Sequence, residues 1–417
     1  MSSHRQPDDP RMRDEEMSAN AQRPTPPQLI LLRNPAFVRL WAAGMFANTM
    51  RWLEILACGL YVFAVTGSAL AVALVSMLRA LPMLAAGALA GALAEAMDRK
   101  RLLNLGQGLN FATSALLALS AAAGTLEIWQ LAVGSLANGV VWATDMAVRR
   151  RMAGEAAGEA LVAPAMAFDS MSNSMTRMFG PIFGGLAFEA VGIGGAYAIG
   201  ALGYALGFAS CIGLEHRQEI RPVSLRLVPG AIAEAVGICR RHPVLRRVML
   251  ITVLMNVFGF SYPTILPAWG EVAFDASPAM IGLLAGAEPF GSLIGAWFIA
   301  TRRLPLQPAT MFLAGSVLFM GLLAAAANLP TFALAWLLLA IGGLGVASFG
   351  SMQAALAIVH VAPEARSRIL GLVTTAIGTG PAGVLAIGAI SDAFGPVAAL
   401  TAMGGLGAIL AVATRRL

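Results

Sequence analysis

Long apolar stretches recur along this chain, and short polar segments separate them. Each stretch is near the ~20 residues that an α-helix needs to cross about 30 Å of hydrocarbon. The stretches are continuous and do not alternate between apolar and polar positions, so they predict membrane-spanning helices rather than barrel strands. We number twelve predicted spans in chain order, at residues 37–65, 70–94, 102–123, 128–147, 161–188, 195–213, 246–270, 279–300, 308–327, 332–358, 368–390 and 396–413.

The amino-acid composition also indicates a membrane environment. Hydrophobic residues make up 58% of the 417 residues and charged residues 12%, whereas soluble domains carry roughly 25% charged residues. The formal net charge of +6 comes from basic residues in short loops, so it predicts a lipid bilayer partner and no nucleic acid. Three cysteines and four histidines lack disulfide or metal-ligand spacing, so we expect no cofactor.

The basic residues also predict the orientation of the chain. They follow the even-numbered spans, whereas the intervening loops contain no lysine or arginine, at 66–69, 124–127, 189–194, 271–278, 328–331 and 391–395. Cytoplasmic loops are enriched in basic residues. Both termini are therefore predicted to be cytoplasmic, in the inner membrane of a bacterium. We call the ends of the helices next to the loops without basic residues the outer ends.

The domain organisation follows from an internal repeat. Arg33, Pro35, Arg39 and Asn48 recur 208 residues later as Arg241, Pro243, Arg247 and Asn256. Six spans in each copy give both copies one orientation, which predicts an all-α protein of two six-helix bundles related by a parallel pseudo-twofold. We expect a disordered tail at 1–33, a first bundle at 34–213, a cytoplasmic linker at 214–245 and a second bundle at 246–417.

Two motifs carry a resemblance to a known family. After span two, Gly91, Glu95, Asp98 and Arg99 belong to a Gly-x-Leu-x-acid-x-x-x-Arg-Lys-Arg pattern, in which Glu95 replaces the usual aspartate and Asp98 a glycine. Span five contains Gly180, Pro181, Gly184 and Gly185. Together with the loop at 363–371, they resemble the major facilitator superfamily, in its branch of exporters related to enterobactin efflux carriers. The resemblance covers about residues 34 to 415.

The resemblance implies the major facilitator fold and export of a small molecule. It also implies that the loop around Gly91, Glu95, Asp98 and Arg99 acts as a gate latch, since in the family the acid caps a helix start in the other half and helps to hold the outward-open state. An alternative interpretation gives the basic residues of this loop the single task of keeping it in the cytoplasm.

Ionisable residues inside spans are the best pointers to function, because burying one at the bilayer centre costs roughly 2.5–3.5 kcal/mol. At 1.5 Å per residue, Arg51, Glu54 and Arg177 lie about 21 to 25 Å from the cytoplasmic end, and Arg79 and Glu288 lie about 14 to 15 Å from the outer end. The five therefore form one predicted layer. We expect this layer to bind substrate or a coupling proton between the bundles.

Static ion pairs are the alternative interpretation of this layer. Arg51 with Glu54, and Arg79 or Arg177 with Glu288, would then only fix helix packing. A further alternative for Arg177 is support of the backbone beside the kink at Gly180 and Pro181.

Three further polar residues are candidates with alternatives of their own. Asp169 lies deeper towards the cytoplasm, where it would bind substrate or a proton, or pair with the arginines at 149–151. Asn48 and Asn256 stand at matching depth in spans one and seven, where they would hydrogen-bond substrate or join neighbouring helices.

These observations predict a monomeric secondary transporter that exports a small molecule in exchange for protons. An importer or uniporter on the same fold and a membrane sensor that does not transport are the alternatives. The chain has no Gly-x-x-x-x-Gly-Lys-Ser/Thr loop and no His-Glu-x-x-His motif, so neither a nucleotide motor nor an enzyme is expected.

Overall fold

The computed structural model describes residues 27–96, 98–214, 228–301, 306–361 and 365–416. Within these ranges every regular element is helical. Ten helical stretches are long and apolar enough to cross a bilayer, and one of them, Glu159–Cys211, has 53 residues. That stretch is about 80 Å of helix, more than twice the hydrocarbon thickness. Gly192, with φ of 65°, breaks it into two parts.

The α-helices are numbered here in chain order. They are α1 Pro27–Arg33, α2 Pro35–Thr66, α3 Ala69–Ala96, α4 Arg99–Ala122, α5 Ile128–Ala157, α6 Val162–Cys211, α7 Val228–Arg241, α8 Pro243–Leu254, α9 Leu266–Phe274, α10 Pro278–Thr301, α11 Pro308–Ala327, α12 Phe332–Val359, α13 Arg366–Ile377, α14 Gly380–Phe394 and α15 Pro396–Ala413. Of α3, the side chains are described as far as Met83.

Local sequence explains where several helices begin and end. Asn34 caps α2, since its side-chain oxygen accepts the backbone N–H groups of Ala36 and Phe37 at 3.0 and 3.2 Å. Pro35 occupies the first turn, where a missing N–H costs nothing. The same helix ends at Gly67, whose φ of 64° suits glycine.

The predicted spans seven and eleven are interrupted helices. After α8 the chain forms a π-helical turn at Met255–Gly259 and a 3-10 turn at Tyr262–Ile265 before α9 begins. Span eleven divides into α13 and α14 around Gly378 and Thr379. Prolines at 263 and 267 fit this division of span seven, because proline removes a helical hydrogen bond.

The structure corrects three predicted boundaries. Residues 27–33, placed in the disordered tail, form α1, and Leu31 in it is buried. The predicted linker contains α7 and the start of α8, and its residues 215–227 lie outside the described ranges, as do residues 1–26 of the tail. The arginines at 149–151 are not in a loop, because α5 continues to Ala157.

Among the described residues, two helix pairs make the most extensive contacts between the first half of the chain and the second. α6 packs on α10, and α3 packs on α14. At both contacts a glycine lies where a methyl group would meet backbone: Gly185 against Pro278, and Gly388 against Ala69 and Leu70. Small residues let helix backbones approach closely in membranes.

Candidate functional site

An ion pair connects the two halves of the chain. The Arg177 guanidinium on α6 donates to Oε2 of Glu288 on α10 at 2.8 Å. The Glu288 side chain is 2% exposed and the Arg177 side chain is 30% exposed. The other carboxylate oxygen, Oε1, is buried, and no described side chain or backbone group donates to it. The accessible side of this pair is therefore the positive one.

Two tryptophans continue from this pair into the first half. The Arg177 guanidinium lies 5.7 Å from the ring centre of Trp52, and Arg51 lies 5.0 Å from the ring centre of Trp142. The two indoles meet edge to face with centroids 6.2 Å apart. Arginine over an indole face is an attractive electrostatic contact. The guanidinium groups of Arg51 and Arg177 therefore lie at the two ends of one pair of contacting indole rings.

Glu54 lies inside the first half, where two hydroxyl groups donate to its carboxylate. Ser114 donates to Oε1 of Glu54 at 2.5 Å, and the Tyr204 hydroxyl donates to Oε2 at 3.3 Å. Gly200 packs against the same carboxylate and leaves no space for a side chain. Glu54 is 1% exposed. The carboxylate is thus held by neutral donors, and the predicted pair with Arg51 does not form.

Arg79 is buried near Glu54 without touching it. One guanidinium nitrogen, Nη2, donates to the Ser135 hydroxyl at 3.3 Å, and Nη1 has no partner among the described groups. Arg79 and Arg51 both act electrostatically on Glu54. The layer predicted from the sequence therefore divides in two, with Arg177 and Glu288 at the junction of the halves and Arg51, Glu54 and Arg79 in the first half.

A polar stripe on α4 faces this cluster and was missed by the sequence reasoning. Gln107, Asn110 and Ser114 are all buried. Both amide atoms of Gln107 and the Asn110 oxygen lack a partner among the described residues. The spacing of three and four residues, which places side chains on one helix face, was the available signal. Buried polar groups of this kind are where ordered water binds in proteins.

Asp169 takes part in a buried charge network at the predicted cytoplasmic side. Its carboxylate accepts from Arg149 at 2.5 Å and from Arg150 at 2.8 Å. Asp145 lies 3.6 Å from Arg149 and 4.0 Å from Arg51. The interpretation of Asp169 as a partner of the arginines at 149–151 thus matches the contacts. Asp145 was not selected from the sequence, although helical spacing places it beside Arg149.

The two asparagines related by the repeat bond within their own helical segments. Oδ1 of Asn48 accepts from Arg51, one turn away. The Asn256 side chain donates to the Thr252 carbonyl oxygen at 2.9 Å, at the entrance of the π-helical turn. Neither contact joins two helices, so the alternative interpretation of these residues as interhelical bonds is wrong for the contacts described.

The predicted gate latch is described only in part. Gly91 and Glu95 lie outside the residues whose side chains are described, and residues 362–364 lie outside the described ranges. Asp98 caps its own helix, α4, by accepting the Arg101 backbone N–H at 3.1 Å. Arg99 donates to Glu155 at 2.8 Å. Both contacts stay within the first half.

The span-five motif fits α6 between two helices. Gly180 packs against Trp52 and the backbone of α2, and Gly184 packs against Leu53 of the same helix. Gly185 packs against Pro278 of α10, and Gly282 of α10 packs against Pro181. A larger residue at any of these glycines would separate the helices. The motif therefore positions α6, and with it Arg177, against both α2 and α10.

The site described above is an ion pair between the two halves beside a cluster of buried charges in the first half. Residues 27–416 match the family described as transmembrane secretion effector. The chain belongs to this family. The predicted resemblance to the major facilitator superfamily is confirmed by this match together with the solved structures.

One curated relative is the staphyloferrin A transporter of Staphylococcus aureus (strain NCTC 8325 / PS 47). It is 20% identical over 270 residues, which are 64% of this chain and 68% of the relative.

Similar folds occur among solved transporters. A bacterial homologue of the human lysosomal transporter Spinster, in an inward-facing and unoccupied conformation, has a TM-score of 0.66 and 14% identity, over 91% of this chain and 95% of that one. A POT family transporter in complex with 5-aminolevulinic acid has a TM-score of 0.71 and 10% identity, again over 91% and 95%. At such identities the likeness shows the fold. The chain is thus a multi-pass membrane transporter with a small-molecule substrate.

Proposed function

We propose that this member of the secretion effector family exports a small molecule in exchange for protons, and that the ion pair between Arg177 and Glu288 is its coupling centre. The pair carries the proposal because it joins the two halves, with an accessible cation and a sealed acid. In this proposal the chain makes twelve crossings in two six-helix halves. It acts as a monomer in a bacterial inner membrane with both termini in the cytoplasm.

The pair can exchange partners in a way that couples two fluxes. On the outward step a substrate with an acidic group binds the Arg177 guanidinium, because guanidinium binds carboxylate strongly. After the substrate has left, a proton neutralises Glu288 and frees it from Arg177 on the return step, since a buried acid without a counter-charge favours its neutral form. Substrate and proton therefore occupy the centre in turn and move in opposite directions, and loss of the proton to the cytoplasm re-forms the pair.

The exposed cation also suggests a substrate class. Arg177 offers a charge-assisted hydrogen bond and Trp52 offers an adjoining apolar face. We therefore propose substrates that combine an acidic group with an apolar or extended body. The name of the curated relative supplies a first compound to try, staphyloferrin A.

The export direction rests on the family description and on the helix-packing motif at Gly180 to Gly185, which resembles that of exporters. An importer on the same fold would use the same pair to carry substrate and proton in the same direction.

Inverted membrane vesicles test the proposal. Staphyloferrin A and a panel of carboxylate-bearing and neutral small molecules are offered outside vesicles whose lumen is acidified. Export in exchange for protons predicts uptake that stops when an ionophore removes the gradient. Uptake that is indifferent to the gradient would contradict coupling, and accumulation only with an alkaline lumen would indicate import. Glu288→Gln is expected to abolish the response to the gradient.

A further inference from the structure

Two acidic side chains at the outer ends each cap the first turn of a helix in the opposite half. Asp392, at the end of α14, accepts the Ser68 hydroxyl at 2.5 Å. It also accepts the backbone N–H groups of Ala69 at 2.7 Å and Leu70 at 3.2 Å, which begin α3. One exposed carboxylate of the second half thus takes three donors from the first half.

An acidic side chain of the first half makes the corresponding contact with a helix of the second half. Glu189, on α6 just before the break at Gly192, accepts the Ala279 backbone N–H at 2.9 Å. Ala279 lies in the first turn of α10. The second contact therefore has the same construction as the first, with the halves exchanged.

The two capped helices also match each other in detail. Ser68 accepts the Ala71 N–H at 3.0 Å, and Ser277 accepts the Met280 N–H at 3.4 Å. Each serine therefore accepts an N–H group of its own helix, and Ser68 also donates to the acid of the other half. Ser68 and Ser277 stand 209 residues apart, close to the 208-residue repeat of the sequence. The contact is thus a feature of both repeats.

Each contact stabilises a helix start only while the outer ends of the two halves are in contact. The first turn of a helix presents unpaired N–H groups and a partial positive charge, so a carboxylate there is stabilising. Both acids come from the opposite half, so separation of the outer ends removes both caps at once. The caps lie over the close contacts of Gly185 with Pro278 and of Gly388 with Leu70.

We propose that Asp392 and Glu189 are gating residues: their two crossed caps form a reversible outer latch that holds the outer ends of the two halves together. Both caps break when the transporter opens outward, and both re-form when it closes. The latch concerns the conformational equilibrium and is independent of which substrate or ion the transporter carries.

A spin-label distance measurement tests the latch without substrate. Labels are placed on cysteines at Thr125 and Leu329, in predicted outer loops of the two halves, after Cys58, Cys211 and Cys239 are replaced by alanine. Asp392→Ala with Glu189→Ala is expected to add a longer distance to the distribution. Loss of the two caps should raise the ratio of open to closed molecules about tenfold. An unchanged distribution would overturn the proposal.

The chain provides a matched control. Glu127 is an exposed acid in a predicted outer loop, but it caps its own helix α5 and accepts from Trp129 at 2.8 Å. Glu127→Ala removes one outer acid without removing a contact between the halves, so the distance distribution should not change. An equal shift in this variant would mean that general loss of negative charge, and not the latch, opens the outer end.

A disulfide version keeps the test decisive if the double alanine variant does not fold. Ser68→Cys with Asp392→Cys should cross-link on oxidation and hold the short distance, and a reducing agent should release it. Asn328→Cys with Thr401→Cys is the control, because these residues, bonded at 2.7 Å, both lie in the second half. The distances are compared before and after reduction, under conditions in which the control variant opens. If the variant cross-linked between positions 68 and 392 gave the same distances in both states, the proposed latch would be contradicted.

Discussion

The two halves of this transporter differ in what they bury. The described part of the first half buries seven charged side chains on five helices: Arg51, Glu54, Arg79, Arg99, Asp145, Arg149 and Asp169. Among the described residues of the second half, Glu288 is the one buried acidic or basic side chain. The two halves therefore differ in their buried chemistry, although the sequence repeat predicts the same helical layout for both.

The apolar cores of the two halves also differ. In the second half one large cluster includes Trp269, Phe312, Phe319 and Leu339. In the first half the apolar residues fall into smaller clusters, such as the one around Leu40 and the one around Cys58. Buried charges lie between these clusters and need partners, because an unpaired charge inside a protein is very costly.

The comparison indicates a division of work. The second half is largely apolar and brings a single buried acid to the junction, whereas the first half holds a network of buried charges. If this account is right, the two halves should respond to different kinds of substitution, and the predictions below are ordered by expected effect.

The largest effect is expected from breaking the charge network of the first half. Asp169→Ala leaves Arg149 and Arg150 without their shared carboxylate. Removing one partner of a buried ion pair costs about 3–5 kcal/mol. We expect a clear fall in the thermal unfolding temperature of the protein in detergent. Arg101→Ala, at an exposed side chain near Asp98, is the control and should leave that temperature unchanged.

A slightly smaller loss is expected from the apolar frame of the second half. Phe319 is fully buried and contacts the rings of Phe260 and Tyr262. Phe319→Ala should cost about 3 kcal/mol through lost packing and the cavity that remains. Phe319→Leu, which keeps most of the volume, should recover more than half of the unfolding temperature. An equal loss in both variants would argue against a packing role.

The hydroxyl contacts of Glu54 should contribute less to stability. Tyr204→Phe removes one donor from the Glu54 carboxylate and leaves the ring in place. We expect a loss of about 1 kcal/mol in detergent, together with altered proton coupling in vesicles. Tyr197→Phe, at a tyrosine that is also buried but makes none of the described hydrogen bonds to Glu54, tests whether the coupling effect is specific. Identical coupling in both variants would count against a role for Tyr204.

The smallest effect is expected at Asn256. Its side chain bonds a carbonyl oxygen of its own helix, and polar contacts inside membranes average about 0.6 kcal/mol. Asn256→Ala should therefore change the unfolding temperature little. Asn48→Ala should cost more, because it withdraws a partner from the buried Arg51. The opposite order would show that the asparagine of the second half has a task that its contacts do not reveal.

Much of the fold could be predicted from the sequence because hydrocarbon thickness fixes helix length. The stretches predicted at 279–300 and 308–327 agree closely with α10 and α11. The π-helical turn of span seven could not be predicted, because Asn256 and its neighbours are compatible with a continuous helix, although Pro263 and Pro267 were a signal for the interruption that follows it. The extension of α5 past Arg151 was missed because a basic cluster is typical of loops.

The residues of the candidate site could be predicted from their type. Which side chains contact each other was harder to predict. Charged residues inside spans identified Arg177 and Glu288, and depth along the helices placed them at similar heights. The helix face of each residue then decides which side chains meet, and a face cannot be read from depth. For this reason the alternative pairing of Arg51 with Glu54 does not match the contacts, and Ser114 and Tyr204 were overlooked.

One measurement tests the coupling centre most directly: comparison of exchange and gradient-driven transport in vesicles that contain the Glu288→Gln variant. Exchange of labelled for unlabelled substrate needs no net proton movement, whereas accumulation against a gradient does. The account predicts that this variant keeps exchange and loses accumulation. Accumulation at the wild-type level in the Glu288→Gln variant would contradict the account.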